Sequence, residues 1–326
     1  MTDTTPGCLA ESLNGALTEL MDMDESVVLV GQDIGRLGGV FRVTKGLQER
    51  FGPHRVRDAI LAESSIVGQA IGMSLSGLKP VCEIQFEGFI YSGMNQIITQ
   101  AARITARWND EIALNLVIRV PVGGGIRAVE HHSESNEAYF AHAPGLFVAF
   151  PSCPTDAAAM LTYSASLGSP VIFYEPKRLY WKRRQQPRDP AEPESPLSAR
   201  VVRRGSDVTV VGWGAVLEEV LQAAEMAAPT IDVEVVDLRW IAPMDTDTVL
   251  RSVASTGRLL VVHEAVGFAG VGAELVATVA ERGSELLRSP MRRLAAPRRL
   301  YPPADYEKHY LIGVSDVVGA IEEMCG

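Results

Sequence analysis

Short β-branched runs bounded by glycine or proline alternate with segments of helical periodicity along almost the whole chain. This alternation constrains the fold more than any other feature. VVLVG (27–31), PVCEI (80–84), LNLVIRV (114–120), LFVAF (146–150) and PVIFY (170–174) are short and apolar, which predicts strands buried on both faces. Between them Leu9, Leu13, Leu17 and Leu20 recur at helical spacing. ESSIVGQAIGMSLSG (63–77) carries small residues on close-packing faces, and MNQIITQAARITARW (94–108) is amphipathic. Strands separated by helices need crossover connections, so a mostly parallel sheet is expected.

The pattern breaks at KRRQQPRDPAEPESPLSA (182–199), rich in proline and charge, and then resumes with DVTVVGWG (207–214), VEVVDL (233–238) and RLLVVHE (258–264). Helices are predicted from Ala215 and Gly270, and the amphipathic SDVVGAIEEMC (315–325) forms a last one. Two doubly wound α/β domains follow, over residues 1–185 and 201–326 with a linker at 186–200, in keeping with a length of 326 residues.

Composition narrows the class. Thirty Lys and Arg against 40 Asp and Glu give a net charge of −10, which argues against nucleic-acid or anionic-membrane binding. Cys8, Cys82, Cys153 and Cys325 form no CxxC pair, so neither a disulfide framework nor a zinc ribbon is expected. The N-terminal residues lack a basic stretch followed by an apolar one, and no run nears the length of a membrane span. A cytoplasmic protein is expected.

Three segments could carry chemistry. GWGAVLEE (212–219) follows a strand and opens a helix, as a dinucleotide site would. Its third glycine position is Leu217, however, and the candidate acid Asp237 lies late, so a plain strand-to-helix turn is favoured. AVEHHSES (128–135) has adjacent histidines, which point apart on an extended chain and lack the His-x-x-x-His spacing of a helical metal pair. With PVGGG (121–125) before it, the segment reads equally as an active-site loop with one working histidine or as a structural loop; His131 and His142 are left as structural or supporting. DAILAESSIVGQAIG (58–72) places Glu63 at a helix start, where the macrodipole alone would favour an acid.

In one order, the chain carries GQDIGRLGGVFRVTKGLQERFGPHRV, DAILAESSIVGQAIGMSLSGLKPVCEIQFEGF, the HHSES loop with EAYFAHAPGL, and GSDVTVVGWG…VVDLRWIAPMD…TGRLLVVHEA. Together these resemble the β subunit of the E1 component of 2-oxo acid dehydrogenase complexes, a transketolase-like thiamine diphosphate enzyme, over nearly the full length. EPKRLY (175–180) and EHHSES resemble the branched-chain branch more than the pyruvate branch. The resemblance implies a pyrimidine-binding domain followed by a transketolase C-terminal domain. It also implies that Mg²⁺ and the diphosphate are held by a G-D-G motif and an N-N pair, neither of which occurs here. An E1 α subunit would then hold them in an α2β2 heterotetramer, this chain would bind the pyrimidine half, and no metal ligand is expected in it.

By the same resemblance Glu63 faces N1′ of the aminopyrimidine, where a carboxyl group shares a proton and so helps generate the cofactor's carbon nucleophile. Burial beside the ring would raise its pKa, although the helix start pulls the other way. Leu61 and Gln85 fall at pyrimidine contacts, Phe89 packs on the ring, and His132 faces the reaction centre. The implied activity is decarboxylation of a 2-oxo acid, branched-chain before pyruvate, with reductive acylation of a lipoyl-bearing E2. E2 is received by the C-terminal domain, where Asp316, Glu322 and Glu323 offer an acidic face. Leu167 and Ser169 stand where many relatives place K⁺ ligands, so a K⁺ site is not expected from side chains, and Arg298 replaces an acid near the end. The alternatives are a stand-alone biosynthetic α/β enzyme, a non-catalytic scaffolding paralogue, and a nicotinamide-dependent oxidoreductase that the incomplete glycine motif disfavours.

Overall fold

The computed structural model describes residues 7–109, 111–183, 193 and 195–326. Most of the expected linker, residues 184–192 and 194, lies outside the described residues. The chain groups into two compact units, one comprising residues 1–122 and 139–186, the other residues 123–138 and 187–326.

In the first unit, β1 (Val27–Gly31), β2 (Val56–Asp58), β3 (Lys79–Glu83), β4 (Val117–Val122), β5 (Phe147–Ala149) and β6 (Val171–Pro176) run in the order β5-β6-β4-β3-β1-β2. Every one of these pairings is parallel. Chain order reverses between β1 and β3, so the C-terminal ends of these strands border a topological switch point, where open α/β sheets place ligands. Helix α1 (Leu9–Met23) buries Leu9, Leu13, Leu17 and Met21, as their spacing predicts. It stops at Asp24, whose carboxylate takes the Ser26 amide and hydroxyl and the Lys79 ammonium. The Lys79 and Ser26 bonds pull its pKa down to about 2.

Short α2 (Leu47–Phe51) and small-residue α3 (Glu63–Leu75) follow. The segment 94–108, expected as one helix, is broken into a π-turn at Gln96–Ala101 and α4 (Ala102–Arg107). The strand expected at 114–120 begins later, at Val117. Helix α5 (Glu137–Ala141) starts in the residues grouped with the second unit and ends in the first, and α6 (Pro154–Ser166) opens on a proline, which lacks the amide that a first turn leaves unbonded.

The second unit contains β7 (Arg200–Arg203), β8 (Val208–Gly212), α7 (Leu217–Ala227), β9 (Val233–Asp237), the short β10 (Trp240–Ala242), α8 (Thr246–Thr256), β11 (Leu259–Val266), α9 (Val271–Gly283), β12 (Arg292–Ala296) and α10 (Val314–Cys325). Its sheet runs β12-β11-β8-β9-β7, parallel except for the antiparallel edge pair β7–β9. Val210, Val235 and Val262 from the sheet, Val220 and Ala224 from α7, and Val317 and Ile321 from α10 form one apolar cluster. The switch point here lies between β8 and β11; Trp213 follows the end of β8, and His263 lies within β11, just past its pairing with β8. Among the described residues no helix is long and apolar enough to cross a membrane.

Candidate active site

Four of the residues singled out from sequence stand on the first unit, next to strand ends. β2 ends at Asp58, whose carboxylate accepts from the amides of Gly35 and Arg36 at 2.6 and 3.2 Å and so fixes the turn after β1. Past it, Ile60 and Leu61 project into solvent, 73% and 71% exposed. Ala62 supplies only its carbonyl as N-cap, accepting from Ser65 and Ile66, so Glu63 becomes the first helical residue of α3. Its half-buried carboxylate accepts from the Ser92 hydroxyl at 2.9 Å. The same hydroxyl lies 3.0 Å from the Phe89 carbonyl.

Ser92 therefore ties Glu63 to the 3-10 turn Phe89–Gly93. Sequence reading missed this residue, although its place three positions after Phe89 in FIYSG is visible. Gln85 lies just beyond the end of β3, with its amide 3.2 Å from Asp33 Oδ2 and 3.4 Å from the Gln32 carbonyl, across the switch point. The structure thus joins Glu63 and Phe89 through one hydroxyl and anchors Gln85 separately on the β1 turn.

Phe89 ends a string of aromatic rings. It meets Phe86 edge-on at 5.7 Å, Phe86 meets Phe41 at 5.5 Å, and Phe41 stacks on Tyr180 at 4.8 Å. The Tyr180 hydroxyl donates to Glu175 at 2.6 Å, inside a cluster not foreseen from the sequence. Arg119 of β4 makes a bidentate pair with Glu175 of β6 at 2.6 and 2.8 Å and a third bond to Glu83 of β3 at 2.7 Å, with all three side chains almost wholly buried. Burial opposes the charge on Arg119, but Glu175 and Glu83 outweigh it and hold the guanidinium protonated. Burial pushes Glu83 up, Arg119 only partly offsetting it. The signal was one arginine inside LNLVIRV and one glutamate in each of two other apolar strands. Beside this cluster Lys177 and Glu87 form a second buried pair at 2.5 Å.

His132 belongs to the residues grouped with the second unit. The loop that carries it is closed at its base by Gly123 N–H donating to the Glu134 carbonyl at 3.0 Å. Glu130–His132 forms a 3-10 turn, not the extended chain expected, so the rings of His131 and His132 do not point apart but lie 4.4 Å from each other. His131 pairs with Glu130 at 3.3 Å on the exposed side, and His132 is half-buried. Among the described residues no group of three His, Cys, Asp or Glu is placed to hold a metal ion. In the turn considered for K⁺, the Gly168 carbonyl accepts from Leu114 N–H at 2.9 Å.

Beyond the loop, Glu137 is buried and accepts from the Trp213 indole at 3.2 Å. Burial, with a smaller push from Glu264, raises its pKa to about 7. The Trp213 ring stacks on His263 at 5.0 Å and 11°. Burial, with the charge of Arg293, lowers His263 to about 4. These rings fill the end of β8, where the glycine-rich turn would have to receive a nucleotide, and Asp237 is buried with its carboxylate on the Arg239 amide. A buried indole in that turn and an Asp237 carboxylate already engaged give the dinucleotide reading no support.

On the first unit, then, a carboxyl at a helix start, a phenylalanine, an exposed leucine and a carboxamide share one sheet end. The carboxyl and the carboxamide can hydrogen-bond, and the phenylalanine and leucine offer apolar surface. None of these four side chains is a cation.

Comparison with known proteins finds two family models along the chain. Residues 9–182 match the transketolase pyrimidine binding domain and residues 197–317 the transketolase C-terminal domain. A pyruvate dehydrogenase E1 component subunit beta of Leifsonia xyli subsp. xyli is 45% identical over 96% of this chain and 93% of its own length. One of Acholeplasma laidlawii is 48% identical over 84% of each chain. A 3-methyl-2-oxobutanoate dehydrogenase subunit beta of Mycobacterium tuberculosis is 40% identical over 97% of this chain and 91% of its own. Among solved structures, a split-gene transketolase described as an inactive beta4 tetramer superposes with a TM-score of 0.80 at 22% identity, covering 98% of both chains, which shows the shared fold.

Proposed function

The chain belongs to the transketolase-like E1 β subunits of pyruvate and branched-chain 2-oxo acid dehydrogenases, and from that premise we propose that it supplies half of an active site which an α subunit completes. The observation that carries this reading is the first unit's switch-point face, where Glu63, Phe89, Leu61 and Gln85 offer hydrogen-bonding and apolar groups for a ring and, among these four, no cation for a diphosphate. When bound, thiamine diphosphate supplies a carbon nucleophile and an electron sink for decarboxylation. Glu63 holds and returns a proton at the ring nitrogen, and Ser92 fixes the rotamer in which it does so. Phe89 and Leu61 give the ring an apolar seat, and Gln85 orients it. His132 handles substrate carboxylate and protons during transfer of the acyl group, since an imidazole can both donate and accept hydrogen bonds. The α subunit brings Mg²⁺ and the diphosphate site, covers Ile60 and Leu61, and forms an α2β2 assembly with this chain. Residues 1–185 act as the pyrimidine-binding domain and 201–326 as the C-terminal domain that receives E2. Two of the three acids proposed for that contact are engaged within the domain: Asp316 caps its own helix at 2.8 Å and Glu323 pairs with Arg292.

The substrate is a 2-oxo acid with a branched apolar side chain, which the EPKRLY and EHHSES segments favour. Pyruvate is the second reading, favoured by the name borne by the relatives at 45% and 48% identity. The test is a panel of 2-oxo acids given to the chain alone and to the co-expressed α/β pair. Turnover by the pair only, fastest with 3-methyl-2-oxobutanoate, is expected. Decarboxylation by the isolated chain would overturn the shared-site reading, and a preference for pyruvate would replace the first substrate by the second.

A further inference from the structure

The glycines of PVGGG and the loop after them are held by a segment that lies far along the chain. Glu307 is almost wholly buried, and its Oε1 accepts three hydrogen bonds: from Gly125 N–H at 2.9 Å, from Arg127 N–H at 3.2 Å, and from the Tyr301 hydroxyl at 2.7 Å. Gly125 N–H also reaches the Tyr301 oxygen at 3.3 Å. Gly125 and Arg127 both adopt left-handed backbone, φ 88° and 60°. Two amides two residues apart thereby converge on one oxygen, the concave arrangement that backbone uses to bind anions. The anion is built in.

Arg127 pays a conformational cost that only Gly routinely avoids. Its amide bond to Glu307 and its guanidinium bond to Asp305 at 2.9 Å oppose that cost. Gly124 has no room for a side chain, because a Cβ there would run into the Tyr301 ring. Burial and the Glu307 carboxylate push the Tyr301 phenol far above its ordinary value, so it stays a donor.

We propose that Glu307 is a positioning residue for the reactive loop: by gathering Gly125, Arg127 and Tyr301 it fixes the conformation in which His132 is presented. The inference rests on the reading that His132 takes part in the reaction. Glu307 touches the loop's entry and acts through His132. Hydrogen bonds to a charged group, three on one oxygen, are strong enough to decide between an ordered and a frayed loop. The conservative amide keeps an oxygen that can accept from the same amides.

The test uses the assembled α/β enzyme carrying Glu307→Ala, Glu307→Gln, His132→Ala, and Glu307→Ala with His132→Ala. Hydrogen exchange at the amides of residues 123–136 and acyl transfer to a lipoyl domain are both measured. Glu307→Ala is expected to speed exchange at 125 and 127 and to slow transfer about tenfold or more, the scale of one charge-assisted bond. Glu307→Gln is expected to restore both to within about threefold. In the His132→Ala background Glu307→Ala adds nothing further, because two residues acting through one route are not additive. Tyr301→Phe removes one donor, keeps the ring, and gives the same pattern at smaller size, so it serves if the alanine variant does not assemble. Unchanged loop exchange in Glu307→Ala, or an equal slowing in both backgrounds, would overturn the inference. Wild-type rates in His132→Ala would overturn the reading of His132 itself, an outcome the single variant reports separately.

Discussion

Glu63 and His132 are held in place by different means. Glu63 follows β2 by a short turn and opens α3, so sheet and helix geometry place its carboxyl, and a side-chain tie to Ser92 comes from a neighbouring turn. His132 sits in a loop with three positive-φ residues at its entry, and the loop's shape depends on Glu307 and Tyr301, 180 positions or so away in sequence. A side chain at the end of a regular element inherits its position from the register of the sheet. A side chain on a long irregular loop has to be tethered by distant groups. Chemistry and stability should therefore separate at Glu63 and be coupled at the loop.

The largest effect expected is at Glu63. Glu63→Gln keeps size and polarity but cannot exchange a proton with the ring nitrogen, so turnover of the α/β pair should fall by about 10²–10⁴-fold. Its thermal unfolding should match wild type, since the tie altered among the described residues is a solvent-exposed contact to the Ser92 hydroxyl. Parallel rate and melting measurements check both halves. A variant that melts early, or one that turns over normally, breaks the contrast between the two regions.

Next in size is the cluster beneath the first unit's site. Arg119→Met removes the one cation between Glu83 and Glu175 and leaves both carboxylates buried without it. Removing one partner of a buried ion pair typically costs about 3–5 kcal/mol. Denaturant unfolding should show a loss of that order together with weaker cofactor binding, because Tyr180 and the ring string to Phe89 rest on this cluster. A shift near zero would mean that the aromatic string is supported elsewhere.

The strands and most helices were legible because apolar runs and 3.6-residue spacing are local properties of the chain. The segment 94–108 was legible as helical but not as broken, since the π-turn at Gln96–Ala101 interrupts the ladder without interrupting the apolar pattern. On the site, Glu63, Phe89 and Gln85 lie close to predicted element ends and their neighbourhood could be anticipated. Ser92, Arg119, Glu307 and Trp213 were not singled out, because each acts through a partner far off in sequence or in a different element. The three charges in apolar strands, Glu83, Arg119 and Glu175, did leave a mark: a charge in a strand buried on both faces has to be paired. The relative orientation of the two histidines was misread because a 3-10 turn, unlike an extended strand, does not alternate its side chains.

The second unit's own buried groups offer a sharper test in pH. Glu137 titrates near 7 in the folded chain against an ordinary 4.5, so between those values the folded state keeps a proton that the unfolded chain has lost. Stability from this group is full below about pH 4.5 and is lost as pH rises toward 7. His263 has the opposite sign. It titrates near 4 against an ordinary 6.5, so the unfolded chain binds the extra proton in that window. Its contribution is full above 6.5 and is lost as pH falls toward 4. Each window spans about 2.5 pH units, worth roughly 3 kcal/mol, and the two slopes nearly cancel in the wild type. Glu137→Gln should expose a stability that climbs with pH, and His263→Phe, which keeps the stack on Trp213, one that falls. Unfolding midpoints across pH 4–7 decide; parallel curves for both variants would mean the two groups do not titrate as a balanced pair.

The smallest expected effect asks whether distance along the chain or burial gives a tether its weight. Arg292 and Glu323 are 31 positions apart, so their pair too joins separate elements, although over a shorter stretch of chain than the one that holds the His132 loop. Both side chains are open to solvent, 45% and 65% exposed. In water the Coulomb gain is screened and two long side chains lose rotamer freedom, so such pairs contribute about 0–1 kcal/mol. Glu323→Gln should therefore move the unfolding midpoint barely at low salt and not at all at high salt. α10 should stay helical, because Val317, Ile321 and Met324 hold it on the sheet and Asp316 still caps it. Glu307 ties the loop with one buried oxygen, and its loss takes that partner from the Arg127 amide and leaves Gly125 N–H with only its 3.3 Å contact to Tyr301. A Glu323→Gln shift as large as that of Arg119→Met would show that remoteness itself carries energy here and would undo the distinction drawn between the two regions. A negligible one leaves burial as the property that makes a distant contact count.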